Sequence, residues 1–234
     1  MNRRDVLNAG GRLLTSIAVG ASISPLAATF VAFATQWPTR PIRVIVPYAA
    51  GSATDLIPRT VFETVSAQLG QPIIVENRLG GGTTVGTSAV AKAEPDGQTI
   101  LVHSNGLVTV PAIQPNVPYD PVRDFAGITP LGNVPLVLVV APEKNIKTVQ
   151  QLVATARAKP GTINYAAAGI GTPPHLTAER FRLAAGFEGQ LVPFKGAPEA
   201  VTEVLAGRVD FYFISVLCRR RFHSLATASC WRLR

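Results

Sequence analysis

The chain repeats one local pattern, in which a short apolar run leads through a loop of small residues into a segment with helical periodicity. The first copy runs from Ile42 to Val46, passes through a loop that begins at Pro47, and continues as a helical pattern over 55–69 that Gly70 ends. Further strand and helix patterns follow at 73–76, 85–93 and 99–103. Strands that alternate with helices favour a mostly parallel sheet covered on both faces. The sequence therefore predicts an α/β fold.

The alternation stops over 104–130, which is rich in Pro, Asn and Gly and predicts an irregular crossover. The next segment, 131–140, is strongly apolar, and we expect it to carry the connection between two lobes. The pattern then restarts with a capping box formed by Thr148 and Gln151. Strands and helices are predicted at 163–166, 175–185, 190–193, 198–206 and 209–214. Two lobes of similar design are therefore expected, over 35–132 and 133–216.

The first 34 residues have the three regions of a secretory signal. Arg3 and Arg4 form a basic start, the stretch 13–34 is uncharged, and a small-x-small cleavage site ends at Ala34. The paired arginines fit a twin-arginine export signal, and the general export route is an equal alternative. The uncharged run is also long enough to be a membrane anchor, but Pro25 makes it a poor spanning helix. We expect a cleaved signal and a periplasmic protein.

The formal net charge of +8 is concentrated at the two ends of the chain. Residues 1–34 carry a net charge of +2 and residues 217–234 carry +5, which leaves +1 for the body of the protein. A nearly neutral body argues against a nucleic-acid partner. Both cysteines, Cys218 and Cys230, lie in the basic tail. This placement excludes a zinc site, a cysteine nucleophile and a disulfide framework from the body.

Two loops between a strand and a helix are the strongest candidates for a binding site. The loop Pro47–Asp55 and the loop Ala168–His175 both contain small residues that let a ligand approach free backbone N–H groups at a helix N-terminus. The alternative for the first loop is an ordinary capping box in a tight turn. If two such loops face one cleft, they can hold a carboxylate. The candidate ligand-binding residues are Tyr48, Ala49, Ala50, Gly51, Ser52, Thr54, Asp55, Ser104, Asn105, Ala168, Gly169, Gly171, Thr172 and His175.

Other candidates have weaker patterns. The Gly80–Gly82 run lacks the lysine and spacing of a P-loop and predicts a turn that leads into a helix. His103 and His223 are isolated in sequence and give no metal-ligand spacing. Lys195 is expected to be a solvated surface lysine, with a place in a cleft as the alternative. His175 is expected at the start of a helix, where it bonds to the preceding loop. We expect no catalytic residue, no metal and no cofactor.

A series of motifs along 36–216 resembles the extracytoplasmic solute receptors of tripartite tricarboxylate transporters, the Bordetella uptake gene type. The first motifs are Trp37-Pro38-Thr39-Arg40-Pro41-Ile42, the loop from Pro47 to Asp55, Gly70-Gln71-Pro72, Val75-Glu76-Asn77-Arg78, Ala93-Glu94-Pro95-Asp96-Gly97 and Pro118-Tyr119-Asp120-Pro121. The later ones are Lys159-Pro160-Gly161, Asn164-Tyr165, the loop from Ala168 to His175, Pro193-Phe194-Lys195-Gly196 and Gly207-Arg208-Val209-Asp210. These motifs occur in order and without large gaps.

The resemblance implies a two-lobed periplasmic binding protein of type II-like fold that closes on a small organic anion. It also implies that the loops Tyr48–Asp55 and Ala168–His175 hold carboxylates through main-chain N–H groups and water, and that the receptor delivers them to membrane permease subunits. We expect a monomer. The chain differs from the usual pattern at Ser52, where glycine is usual, and at Pro173 and Pro174. The resemblance therefore does not identify the substrate of this chain. An enzyme on the same fold and a sensor that presents its ligand to a membrane kinase are the alternatives.

The basic tail over 217–234 does not continue the receptor pattern, which would return to complete the first lobe. We interpret it as a frameshift near Leu217, so that the C-terminal part of the first lobe is missing; the coding DNA tests this interpretation. A basic extension that binds nucleic acid or lipid and a natural short variant are the alternatives. A missing part of the lobe would lead to poor solubility and to weak or absent ligand binding.

Overall fold

Two β-sheets organise the chain in the computed structural model, which describes residues 37–221 and 230–231. The export signal predicted over 1–34 and most of the basic tail lie outside the described residues. Within the described part, no helix has the length and apolar character needed to cross a membrane.

The first sheet is parallel and has three strands. Its central strand β1 is Ile42–Val46, with β2, Ile73–Asn77, on one side and β3, Thr99–Leu101, on the other. Val44 pairs with Val75 and with Ile100, and is completely buried. The β-branched residues of β1 fit this position because such side chains pack well on a pleated surface that is covered.

An α-helix follows each of the first two strands of this sheet. Helix α1 is Ala53–Leu69, and it ends at Gly70, whose φ of 64° is the left-handed conformation that glycine adopts without strain. A single 3-10 turn over Gly81–Thr83 leads into α2, Thr84–Ala91. The existence and order of these elements agree with the sequence prediction.

The irregular crossover predicted over 104–130 is wrong at its start, because Gly106–Ile113 forms helix α3. The sequence pattern did not predict this helix because the segment contains a proline. Pro111 has no N–H to give to Leu107 O, which would break a helix left to itself. In the structure the Tyr119 hydroxyl donates to Leu107 O over 3.4 Å. A distant side chain therefore satisfies the carbonyl that the proline leaves free.

The second sheet has five strands in the order β6-β5-β7-β4-β8. In chain order they are β4, Leu136–Val140; β5, Ile163–Ala167; β6, Gly189–Pro193; β7, Phe211–Ser215; and β8, Cys230–Trp231. Strand β5 runs parallel to β6 and β7, whereas β4 is antiparallel to β7 and to β8. The segment predicted as a connection between lobes thus supplies an inner strand, β4, because its residues can be buried on both faces.

Helices cover both faces of the second sheet. They are α4, Val149–Ala158; α5, Pro173–Ala185; α6, Ala197–Leu205; and the short α7, Val216–Arg221. The predicted cap of α4 is confirmed, since Thr148 Oγ1 accepts from Gln151 N at 3.1 Å. Gln151 Oε1 in turn accepts from Lys147 N at 2.7 Å.

Alternate residues of β4 and β7 face two different apolar cores. On one face, Phe211 and Phe213 pack with Leu138 in a cluster that includes Phe181 of α5. On the opposite face, Tyr212 and Ile214 pack with Val201 and other residues of α6. This period of two, with burial on both sides, is the pattern of a strand that lies between two layers of helices.

Candidate functional site

A cavity of 740 Å³ lies where the carboxyl ends of the parallel strands from both sheets meet. Its wall includes residues that follow β1, β2, β3, β5, β6 and β7. Small-molecule sites in open α/β sheets occupy this position, because strand-to-helix loops bring backbone donors and side chains together there. Residues of the Pro47–Asp55 loop and of the Ala168–His175 loop contribute to the wall of this one cavity.

The wall is largely apolar, and Lys195 is the only charged residue among the described residues that line it. Polar groups on the wall include hydroxyls from both sheets, which belong to Tyr48, Ser52, Thr54, Thr83, Ser104, Thr172, Tyr212 and Ser215. A cation without an acidic residue in the wall makes the cavity more suitable for an anion than for a cation. Among the described residues, no three His, Cys, Asp or Glu side chains lie together as a metal site requires.

The loop between β1 and α1 is held by Asp55, whose side chain is buried. Its carboxylate accepts hydrogen bonds from Gly51 N at 2.8 Å, from Arg59 Nε at 2.9 Å and from Asn77 Nδ2 at 2.9 Å. Burial alone would raise the pKa of Asp55, but these hydrogen bonds outweigh it and lower the pKa below its ordinary value. Asp55 therefore fixes the loop as a charged acceptor.

Ser52 is the N-cap of α1, but its hydroxyl makes no capping hydrogen bond. The residue is 8% exposed and lies in the cavity wall. Within the described residues, Ser52 Oγ has no hydrogen-bond partner. The capping box, which was the alternative interpretation of this loop, is thus absent: Asp55 accepts from Gly51 N instead of the N-cap N–H, and the Ser52 hydroxyl makes no capping bond.

The loop between β5 and α5 has its own hydrogen bonds. Thr172, the N-cap of α5, donates its hydroxyl proton to Gly169 O at 2.7 Å. Gly171 N donates to His175 Nδ1 at 3.1 Å, so His175 lies in the first turn of the helix and bonds to the loop, as predicted. Burial lowers the pKa of His175, and Glu179 acts in the opposite direction. The side chains of this loop are therefore already satisfied.

A third cluster joins three loops of the first sheet around His103. His103 Nδ1 lies 2.9 Å from Ser104 O, and Nε2 lies 3.2 Å from Thr83 Oγ1. The Tyr48 hydroxyl lies 2.6 Å from Ser104 Oγ and 3.3 Å from His103 Nδ1. Burial lowers the pKa of His103 to about 4 and raises that of Tyr48 to about 12. Both side chains are neutral near pH 7.

Loops of the two sheets touch beside the cavity. Thr109 Oγ1 of α3 donates to Gly171 O at 2.8 Å. A side chain at Gly171, whose φ is 83°, would meet Val110 of α3, and one at Gly196 would meet Ala49. Glycine is required at Gly171 both by the positive φ and by this close approach.

The predicted site residues fall into two groups. Eight of them line the cavity: Tyr48, Ala49, Ser52, Thr54, Ser104, Ala168, Gly169 and Thr172. The other six do not line it, although they lie in the loops before α1, α3 and α5 or in the first turns of α1 and α5: Ala50, Gly51, Asp55, Asn105, Gly171 and His175. Asp55 and His175 in particular hold the loops through the hydrogen bonds described above.

Sequence reasoning gave too little weight to two cavity segments. Gly80–Thr83 lines the wall although it was predicted to be only a turn, and Lys195 lines it although a solvated surface position was expected. Both segments follow a strand of a parallel pair, β2 and β6 respectively. That shared position was the signal that could have placed them with the two predicted loops.

Comparison with known proteins identifies the family. The sequence profile of the tripartite tricarboxylate transporter family receptor matches residues 57–223. This chain belongs to that receptor family. The UPF0065 protein in the tcbD-tcbE intergenic region of Pseudomonas sp. is 38% identical over 218 residues, which are 93% of this chain and 64% of that protein. BugT of Bordetella pertussis is 36% identical, over 85% of this chain and 61% of BugT.

Solved structures of similar proteins have the same fold. The periplasmic binding protein BugD has a TM-score of 0.75 and 30% identity, over 83% of this chain and 65% of BugD. Rpa4515 of R. palustris, solved with adipate, has a TM-score of 0.79 and 28% identity, over 83% of this chain and 65% of Rpa4515. MatC of Rhodopseudomonas palustris, with bound malate, has a TM-score of 0.75 and 26% identity, over 83% of this chain and 67% of MatC.

The chain has the mostly parallel α/β fold of these periplasmic binding proteins. It spans less than two thirds of the length of the relatives with which its sequence was matched, for example 64% and 61% of the two named above.

Proposed function

We propose that this chain is an extracytoplasmic solute receptor that captures a small organic anion with at least one carboxylate in the cavity. The observation that carries the proposal is the hydroxyl of Ser52, the N-cap of α1, which is buried and has no hydrogen-bond partner among the described residues. A buried hydroxyl without a partner costs about 1–3 kcal/mol. A bound carboxylate oxygen would accept its proton and remove that cost.

The surroundings of Ser52 favour a negative charge. Ala53 and Thr54 are the first residues of α1, and the N–H groups at this position of a helix have no acceptor within the helix. The helix dipole adds a partial positive charge at the same end. Lys195 contributes a full positive charge to the wall. Together these groups form a site that would bind a carboxylate through two N–H groups, one hydroxyl and a nearby cation.

The ligands of two relatives support this class of ligand. Rpa4515 was solved with adipate and MatC with malate, which are both dicarboxylates. The cavity of 740 Å³ lies within the ordinary range for small-molecule sites. We therefore propose a small di- or tricarboxylate, without choosing one.

We further propose that the receptor works in the periplasm after cleavage near Ala34, by the twin-arginine or the general export route. It would act as a monomer and deliver its ligand to the permease subunits of a tripartite tricarboxylate-type transporter. The two sheets would be the cores of lobes over 35–132 and 133–216 that close on the ligand. We propose a receptor and not an enzyme because the matching family is one of receptors.

Calorimetric titration of the full chain with malate, succinate, 2-hydroxyglutarate, glutarate, adipate and citrate tests the proposal. We expect at least one acid to bind, and we expect Ser52→Ala to weaken that binding about 10-fold. Ser66→Ala is the matched control, because Ser66 lies on α1 and bonds to Gln71 O, away from the cavity wall. The proposal is wrong if folded protein binds none of the acids, or if both variants bind like the wild type.

A further inference from the structure

Thr83 is held in an unfavourable backbone conformation at the cavity wall. It ends the turn after β2, is 4% exposed, and has a φ of 91°. A β-branched residue at positive φ is a genuine outlier. Such strain costs about 1–3 kcal/mol, and it persists only where the surrounding structure fixes it. Strained residues of this kind cluster at ligand sites. The strain at Thr83 therefore suggests that its side chain has a role in binding.

The partners of His103 determine where the hydroxyl proton of Thr83 lies. Ser104 O is a carbonyl and can only accept, so His103 Nδ1 must carry the proton of their 2.9 Å hydrogen bond. In the neutral imidazole, Nε2 is then an acceptor. Thr83 Oγ1 lies 3.2 Å from Nε2, so Thr83 donates its only hydroxyl proton to His103.

Thr83 lines the cavity, and this hydrogen bond leaves its Oγ1 with lone pairs but no proton to donate to a ligand. We propose that Thr83, positioned by His103, is a specificity determinant that selects an organic anion carrying a hydroxyl or ammonium donor over the same anion without one. The inference rests on the proposed function, since it adds a second contact to the carboxylate site at α1.

The two contacts require opposite chemistry, and this fixes the direction of the ligand. Ser52 and the start of α1 supply donors, which suit a carboxylate. Thr83 supplies an acceptor, which repels a carboxylate oxygen and would accept a proton from a hydroxyl or ammonium group. A ligand with its carboxylate at Ser52 and a donor group at Thr83 satisfies both. A deoxy analogue would leave the buried Thr83 acceptor unpaired against it.

The test compares acids that differ by one hydroxyl, in the calorimetric titration of the full chain. The pairs are malate with succinate and 2-hydroxyglutarate with glutarate. We expect the wild type to bind the hydroxy acid of at least one pair about 10-fold more tightly. Thr83→Val, which replaces the hydroxyl with a methyl group, should reduce that ratio to about 1 by weakening the hydroxy acid alone. Thr83→Ser should keep the preference.

Two further variants distinguish loss of the Thr83 contact from a change in the folded structure. Thr83→Gly removes the hydroxyl and also relieves the strained φ, so a variant that folds is available even if Thr83→Val does not. His103→Leu frees the Thr83 proton and should lower the ratio while the deoxy acid binds as before. Equal binding of both members of each pair by the wild type, or binding of adipate alone, which has no hydroxyl, overturns this inference and leaves the receptor function standing. If citrate alone binds, its deoxy analogue tricarballylate completes the pair, and equal binding of these two acids overturns the inference. An unchanged ratio in folded Thr83→Gly also overturns it.

Discussion

The two strand-to-helix loops that face the cavity have the same backbone design but offer different chemistry. Gly51 and Gly171 precede the N-caps, with φ values of 81° and 83°. The N-caps Ser52 and Thr172 have φ and ψ of −70° and 161°, and of −75° and 160°. In each loop the glycine N–H donates to the third residue of the helix, Asp55 or His175.

The difference lies in which donors remain for a ligand. In the loop before α1, the Ser52 hydroxyl has no partner among the described residues, and the helix begins with Ala53 and Thr54, which have N–H groups. In the loop before α5, the Thr172 hydroxyl donates to Gly169 O. That helix begins with prolines at both of its first two positions, which have no N–H.

The same sequence pattern therefore produces two different loops. The loop before α1 has hydrogen-bond donors available for a ligand, whereas those of the loop before α5 are satisfied or absent. The family resemblance implied that both loops hold carboxylates through main-chain N–H groups. From the contacts we instead expect the α1 loop to bind the anion and the α5 loop to form a wall that closes against it. This asymmetry should affect the stability of the protein, the pH dependence of that stability and the affinity for the ligand.

The largest expected effect concerns the third residue of each helix. Asp55→Ala removes a buried carboxylate that accepts three hydrogen bonds, and should lower the free energy of unfolding by about 4 kcal/mol. His175→Ala removes a neutral acceptor with one such bond and should cost about 1 kcal/mol. Urea denaturation measures both, with Glu63→Ala on the exposed face of α1 as control. Equal losses for the two variants would contradict the asymmetry.

His103 and His175 should contribute differently to the pH dependence of the free energy of unfolding. Burial lowers the pKa of His103 from 6.5 to about 4, so the unfolded chain binds a proton at a higher pH than the folded chain does. Stability is fully present above pH 6.5 and should fall by about 3 kcal/mol between pH 6.5 and pH 4. Asp55 adds a loss only below its ordinary pKa of 3.8.

Denaturation of the wild type and of His103→Gln across this pH range measures the contribution. In this variant, most of the change in the free energy of unfolding between pH 6.5 and pH 4 should be lost, because glutamine does not titrate. His175→Gln should change the slope less, since Glu179 offsets part of the effect of burial on the pKa of His175. A wild-type slope that survives in His103→Gln would show that another group causes it.

Local patterns were sufficient to predict most strands and helices and the two strand-to-helix loops that contribute to the cavity wall. The apolar run of β1, the loop of small residues and the glycine that ends α1 all favour the same element order. In a parallel arrangement, such loops must share one end of a sheet. Helix α3 escaped prediction because the tertiary contact from Tyr119 to Leu107 O compensates for its internal proline.

The polar cluster in the cavity wall could not be predicted from local sequence. His103 is isolated in the chain, and its partners Tyr48 and Thr83 lie 55 and 20 residues away. Their meeting depends on which loops the sheet order β2-β1-β3 brings together. Likewise, the sequence around Ser52 and Asp55 fits a capping box. Only the structure reveals that Asp55 turns to Gly51 N and leaves the hydroxyl unused.

The smallest expected effect tests whether the missing donors limit the α5 loop. Pro174→Ala restores an N–H at the second position of α5, in the cavity wall. One added donor at a helix N-terminus should raise the affinity for the acid that binds about threefold, in the calorimetric titration. Pro142→Ala is the control, because that proline begins a 3-10 helix away from the cavity wall. An unchanged affinity in Pro174→Ala would mean that chemistry other than the proline pair keeps the α5 loop from contributing, since the backbone of the two loops is otherwise the same.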